Sequence, residues 1–198
     1  MINLINLRNE APYDLFSNYY NEALKAGQEN IEAIAISSFS KKINEVNSRY
    51  VNLKIINEDK FIFFSNYESV KSKEFVTHNQ ISALIYWNSI NVQIRMKGYI
   101  KKTSIEFNDN YFSNRSPKKN ALAISSNQSK SIKSYELVKS NYNNALNNIN
   151  LKECPKYWGG YSFSPYYFEF WEGHESRVNK REVFNNIDGI WKHSFLQP

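Results

Sequence analysis

Apolar and polar positions change period several times along this 198-residue chain. Leu15, Tyr19, Ala23 and Leu24 recur at helical spacing after Pro12, a residue suited to a first helical turn, and predict a helix over 12–26. The period then falls to two, which predicts a strand over 31–38. Polar residues 40–48 make a hairpin connection to a strand over 49–56. Asn57-Glu58-Asp59-Lys60 is turn chemistry, and another apolar strand covers 61–66. Ser69 can cap a helix over 69–79, and strands follow at 81–87 and 92–102. Short strands around one helix, with no long linker, fit an antiparallel barrel better than a doubly wound sheet.

The remainder alternates helix and strand. Residues 105–115 read as a helix, Ser116-Pro117 starts a second, and 132–146 make a third. Two strand pairs are expected within 157–171 and 177–195, with the last turn at Asn186-Ile187-Asp188-Gly189. The fold class is mainly β with helices (α+β), an antiparallel barrel with flanking helices in one domain, 1–198.

Composition narrows the class. Aromatic residues make up 16% of the chain, which suits many half-buried strand positions. The single cysteine, Cys154, excludes an internal disulfide and a cysteine-built zinc site. No apolar run approaches a membrane span, so the expectation is a cytoplasmic protein without a membrane partner. A net charge of +6 fits an anionic partner, either nucleic acid or a phosphorylated small molecule.

Four basic clusters could meet that anion, although each taken alone also reads as an ordinary solvated surface feature. Arg49 and Lys54 share a strand, but five residues apart they face opposite ways unless a bulge intervenes. Ser65, Ser69 and Lys71 stand where a strand end meets a helix start, a place that suits phosphate. Tyr111 and Arg115 are four apart on one helix face. Lys118 and Lys119 lie in the first turn after Pro117, where cations oppose the helix dipole unless an anion binds there. Nearer the C-terminus, Arg177, Asn179 and Arg181 alternate beside Phe168-Glu169-Phe170-Trp171, and on a strand they would share a face. Gln93 on a strand and Gln128-Ser129 in a polar loop read by themselves as ordinary polar surface, although a glutamine amide can pair with a heterocycle edge.

Other chemistry is missing. His78, His174 and His193 lack metal-ligand spacing, and no glycine-rich phosphate loop or nucleophile elbow is present. Redox chemistry would come from a bound cofactor.

In order and spacing, these clusters resemble the pyridoxamine 5′-phosphate oxidase family. The motifs that carry the resemblance are Arg49-Tyr50-Val51-Asn52-Leu53-Lys54, Phe64-Ser65-Asn66 leading to Ser69-Val70-Lys71, Tyr111-Phe112-Ser113-Asn114-Arg115, Trp158-Gly159-Gly160, and Phe170-Trp171 through Arg177, Arg181 and Pro198. The resemblance runs over nearly the whole chain. It implies a split β-barrel homodimer that binds FMN between subunits and oxidises a phosphorylated B6 vitamer to pyridoxal 5′-phosphate, with O2 reduced to hydrogen peroxide.

By the same resemblance, Arg49, Lys54, Phe64, Ser65, Ser69 and Lys71 would serve the flavin's phosphate and ribityl side. Gln93, Gln128, Ser129, Trp171 and Arg181 would hold its ring region. Lys54, Tyr111, Arg115 and Lys119 would grip the substrate phosphate, with Arg177 and Asn179 at the reacting ring. The chain departs from the family pattern at Asn179 (usually histidine), Val70 (arginine), Phe64 (tyrosine) and Lys119 (serine), and the family's arginine-and-tyrosine lid segment is not expected at its N-terminus, although Arg8 lies nearby. Other readings of the residues are a sister flavoenzyme acting on another planar substrate such as a phenazine precursor, a non-catalytic flavin or pyridoxal-phosphate binder, and an aromatic-rich nucleic-acid-binding barrel.

Overall fold

The computed structural model describes residues 1–198. The first half runs β1 (Asn3–Ile5), α1 (Ala11–Lys25), β2 (Ala33–Ser40), β3 (Glu45–Asn57), β4 (Lys60–Asn66), α2 (Val70–Thr77), β5 (Gln80–Trp87) and β6 (Val92–Lys102). The second half runs α3 (Ile105–Ser113), α4 (Pro117–Ser125), α5 (Tyr135–Asn148), β7 (Trp158–Glu172), β8 (Lys180–Ile187) and β9 (Ile190–Phe195).

Strands β2 to β7 close on themselves. β3 pairs with β2, β2 with β5, β5 with β6, β6 with β7, β7 with β4, and β4 again with β3, always antiparallel. A closed cycle of six strands leaves no open edge within it. β1 adds to β3 in parallel, and β8 with β9 extend the sheet beyond β7.

The expected strand pair within 157–171 is instead one continuous strand of 15 residues. Residues 158–163 of β7 pair with β4, whereas residues 167–172 pair with β8. Pro165 stands between the two halves, where it has no N–H to offer a ladder, and the register against β6 shifts beside it. Proline therefore changes the strand's partner without reversing the chain. Gly98 opposite permits the approach, because a Cβ there would lie 2.8 Å from the Ser164 carbonyl oxygen.

One further expectation is corrected, and one strand was not expected at all. β3 starts at Glu45, so the polar connection shrinks to residues 41–44, with Asn44 at φ 56° completing the turn. Polar strand ends that project beyond the core carry no apolar alternation, which hid them. β1 escaped notice because three residues are too few to show a period.

Aromatic packing fills the barrel. Tyr13, Phe16, Tyr19, Tyr20 and Ala23 form the buried stripe of α1. Phe16 meets Phe61 edge-on at 5.4 Å and Trp87 at 5.6 Å, and Tyr13 meets Phe168 at 5.4 Å. Such pairs add about 0.5–1.5 kcal/mol each beyond burial. No helix is long and apolar enough to cross a membrane.

Candidate functional site

A cavity of about 510 Å³ opens where β3, the end of β4 and the start of α2 meet. β3 contributes Arg49 and Lys54 to its wall. The register steps from Leu53 opposite Phe63 to Ile55 opposite Ile62, so Lys54 is the extra residue of a bulge. That bulge turns two cations five residues apart toward one space. Phe64 and Ser65 come from β4, and Val70 and Lys71 from the first turn of α2. Tyr111 lies on α3; Arg115 follows the C-cap residue Asn114 rather than standing on the helix face, yet both line the cavity. Gln128 and Ser129 complete it from the loop after α4.

Two further expected residues lie close by. Ser69 is buried behind Lys71 and accepts from its Nζ at 3.2 Å. Lys119 faces an adjoining space of about 220 Å³ that shares Phe64, Ser65, Arg115 and Gln128 with the main cavity.

The other five lie elsewhere in the chain. Gln93 is opposite Trp171, and Trp171 is opposite Arg181, a row across β6, β7 and β8 that does not line the cavity. Arg177 and Asn179 precede β8, which starts at Lys180, so the strand alternation expected for 177, 179 and 181 is absent. Arg177 has φ 60° and its N–H donates to the His174 carbonyl at 2.9 Å, making it a turn residue. Asn179 accepts from the His174 N–H at 3.0 Å, so its side chain shapes that turn.

The cavity's cations differ in how they are neutralised. Arg49 is held by Glu74 at 3.2 Å, and Lys54 by Glu32 at 3.1 Å. Lys71 is buried, and its ammonium donates only to neutral oxygens: Ser65 Oγ at 2.9 Å, Ser69 Oγ and the Gln128 amide. Burial, with Arg49 nearby, pushes the Lys71 pKa down to about 8 despite Glu74. Arg115 has no carboxylate either. It donates to the Lys119 carbonyl and Asn120 Oδ1, and burial lowers its pKa. No acidic side chain and no histidine lines this space.

Aromatic stacking stiffens the wall. Phe64 lies 3.7 Å from the Tyr111 ring and 5.1 Å from that of Trp158, nearly parallel to both. Arg115 sits over Trp158, its Cζ 5.0 Å from the ring centre. Asn108 fixes α3 beneath, accepting from the Gly160 N–H at 2.8 Å and donating to Tyr67 Oη at 3.0 Å.

Two acids that hold arginines of the expected site, Glu74 at Arg49 and Glu169 at Arg181, carry little local signal in the sequence. Glu74 is 4% exposed and also accepts from Asn47 and Ser38. Glu169 is 2% exposed; it takes two bonds from Arg181 and one each from Arg95 and Tyr167. Burial opposes the charge on Glu169, yet Arg181 and Tyr167 hold its pKa below the ordinary carboxylate value. One signal was legible: a glutamate between Phe168 and Phe170, which face the core, has to find partners on the other side of the strand.

A pyridoxine/pyridoxamine 5′-phosphate oxidase of Hydrogenovibrio crunogenus is 34% identical over 193 residues, which cover 94% of this chain and 88% of the relative. The chain belongs to the pyridoxine/pyridoxamine 5′-phosphate oxidase family. Another relative of that name, from Cytophaga hutchinsonii, is 37% identical over 88% of this chain and 82% of its own length. Residues 158–198 match the model of the pyridoxine 5′-phosphate oxidase C-terminal dimerisation region, a span that includes Trp171, Arg177, Asn179 and Arg181. The oxidase family's barrel recurs in the PhzG structure from Burkholderia lata 383, solved with tetrahydrophenazine-1-carboxylic acid. It is 24% identical with TM-score 0.88, covering 94% of this chain and 92% of that one. A pyridoxamine 5′-phosphate oxidase-related, FMN-binding protein of Nostoc punctiforme shares the fold at 11% identity and TM-score 0.77, covering 96% and 99%.

Proposed function

We propose that this chain is an FMN-dependent oxidase that converts pyridoxamine or pyridoxine 5′-phosphate to pyridoxal 5′-phosphate, with O2 reduced to hydrogen peroxide and, for the amine, one water taken up and ammonia released. The observation that carries the reading is a single cavity with two cations, Lys71 and Arg115, that have no acid partner. Two uncompensated cations in one cavity suit two phosphate-tailed ligands.

The residues fit FMN. Lys71, Ser65, Ser69 and the first-turn N–H groups of α2 would cradle its phosphate, with Arg49 beside them. Gln128 and Ser129 would flank it from the loop after α4. When bound, FMN supplies the two-electron acceptor that no side chain here provides.

The chain's own residues bind and orient. Lys54, Tyr111 and Arg115, with Lys119 alongside, would hold the substrate phosphate against the stacked Phe64 and Trp158. No carboxylate or imidazole in the cavity wall is placed to move a proton. Gln93, Trp171, Arg177, Asn179 and Arg181 lie off this cavity in the same chain and would complete it from a second copy. The match to a dimerisation region over 158–198 supports a homodimer.

The test is aerobic peroxide formation by the flavin-loaded protein with each B6 phosphate in turn. Stoichiometric peroxide and pyridoxal 5′-phosphate are expected. Bound flavin with no turnover of either vitamer would overturn the substrate assignment and favour a sister flavoenzyme.

A further inference from the structure

Lys54 reaches the cavity wall already paired with a carboxylate. Its Nζ lies 3.1 Å from Glu32 Oε1, and the two side chains are only 25% and 23% exposed. Glu32 does not itself line the cavity. It immediately precedes β2, where its carbonyl accepts from the Leu53 N–H at 2.8 Å, so the backbone next to Lys54 holds the pair in register. Burial opposes the charge on Glu32, but Lys54, with the chain's terminal amine at 3.2 Å, keeps its carboxyl at about 2. Glu32 is therefore an anion wherever the protein is folded near neutral pH.

Glu74 behind Arg49 makes a useful contrast. It is almost wholly buried and bound also by Ser38 and Asn47, so moving it would cost those bonds as well. Glu32 and Lys54 keep some access to water, which can satisfy either group when the pair opens.

We infer that Glu32 is a specificity-determining residue: its carboxylate competes with the ligand's phosphate for Lys54, and so limits how strongly the site prefers phosphorylated over unphosphorylated ligands. The inference rests on Lys54 being a substrate-phosphate contact, as proposed above. A phosphate brings close to two negative charges to an ammonium that already faces one. Whether Lys54 swings away from Glu32 or shares its three donors between the anions, the cost grows with ligand charge. A ligand with a free hydroxyl in place of the phosphate is spared that cost. An ion pair with this much exposure is worth about 1 kcal/mol, equivalent to about a fivefold change in affinity.

The experiment titrates FMN-saturated protein with pyridoxal 5′-phosphate, pyridoxal and inorganic phosphate, in the wild type, Glu32→Gln, Lys54→Gln and the double variant. Glu32→Gln is expected to tighten both phosphate ligands about three- to tenfold, leave pyridoxal unchanged, and have no effect once Lys54 is Gln. Glu32→Asp, which withdraws the carboxylate by one methylene, gives a smaller tightening and serves if Glu32→Gln does not fold. Unchanged or weaker phosphate binding in these variants would make Glu32 a structural partner only and overturn the inference. Equal tightening without Lys54 would do the same. A wild type that takes inorganic phosphate but no pyridoxal 5′-phosphate would contradict the proposed function, while the inorganic-phosphate series still decides the role of Glu32.

Discussion

Glu74 Oε2 lies 3.2 Å from Arg49 Nη2 and fixes the guanidinium at the cavity wall from behind. Arg49 also donates to Asn47 O and Ile36 O, so its fork is held on several sides before any ligand arrives. Loss of a charged hydrogen-bond partner of this kind costs about 1.5–3 kcal/mol. Glu74→Ala is therefore expected to lower stability by about 2 kcal/mol and to weaken FMN binding about tenfold, with Glu74→Gln intermediate. Urea unfolding and quenching of flavin fluorescence measure the two effects separately.

Lys71 gives a pH prediction whose sign is fixed. Its amine titrates near 8 in the folded chain and at the ordinary lysine value of 10.5 when unfolded. Between those values the unfolded chain binds more protons, so flavin-free protein gains stability from this group as pH rises through the window. Below 8 the buried ammonium is a cost, and Lys71→Met is expected to stabilise flavin-free protein there. FMN binding has the opposite sign, because a phosphate needs the ammonium: affinity should fall as pH rises above about 8 in the wild type. Lys71→Met should bind FMN at least about a hundredfold more weakly and lose that pH dependence. Thermal melts and FMN titrations across pH 7 to pH 10 check both signs.

How far the chain could be read in advance depended on whether a residue acts through local pattern or distant contact. The serines and lysine at the β4–α2 junction were legible, because a strand end running into a helix start has one local geometry. Arg49 and Lys54 were legible only as alternatives, since a bulge depends on the partner strand's register. Arg177 and Asn179 misled: every-second-residue spacing is also compatible with a turn, and the turn's hydrogen bonds to His174 decided it. Glu74 gave almost no signal, since Arg49 is 25 residues away in sequence, and Glu169, 12 residues from Arg181, gave only its place between two core phenylalanines.

Trp158 carries the third prediction. It supports Arg115 through its ring face and extends the stack over Phe64, contacts worth about 0.5–2 kcal/mol together with the cation. Trp158→Leu keeps an apolar side chain but removes the face. The expected outcome is a KM for the phosphorylated substrate raised about five- to tenfold with kcat little changed, because the contact acts on binding rather than on the reacting carbon. Steady-state kinetics on flavin-saturated enzyme would show the split, and a fall in kcat alone would remove Trp158 from the phosphate grip.

The proposed function requires two separate seats for phosphate among the residues of one cavity, one around Lys71 and one around Lys54 and Arg115. Equilibrium dialysis of the purified protein against FMN and pyridoxal 5′-phosphate together counts those seats directly. One molecule of each per chain, with neither displacing the other, is the predicted result. Mutual displacement, or a protein that binds pyridoxal 5′-phosphate but takes up no flavin, would contradict it.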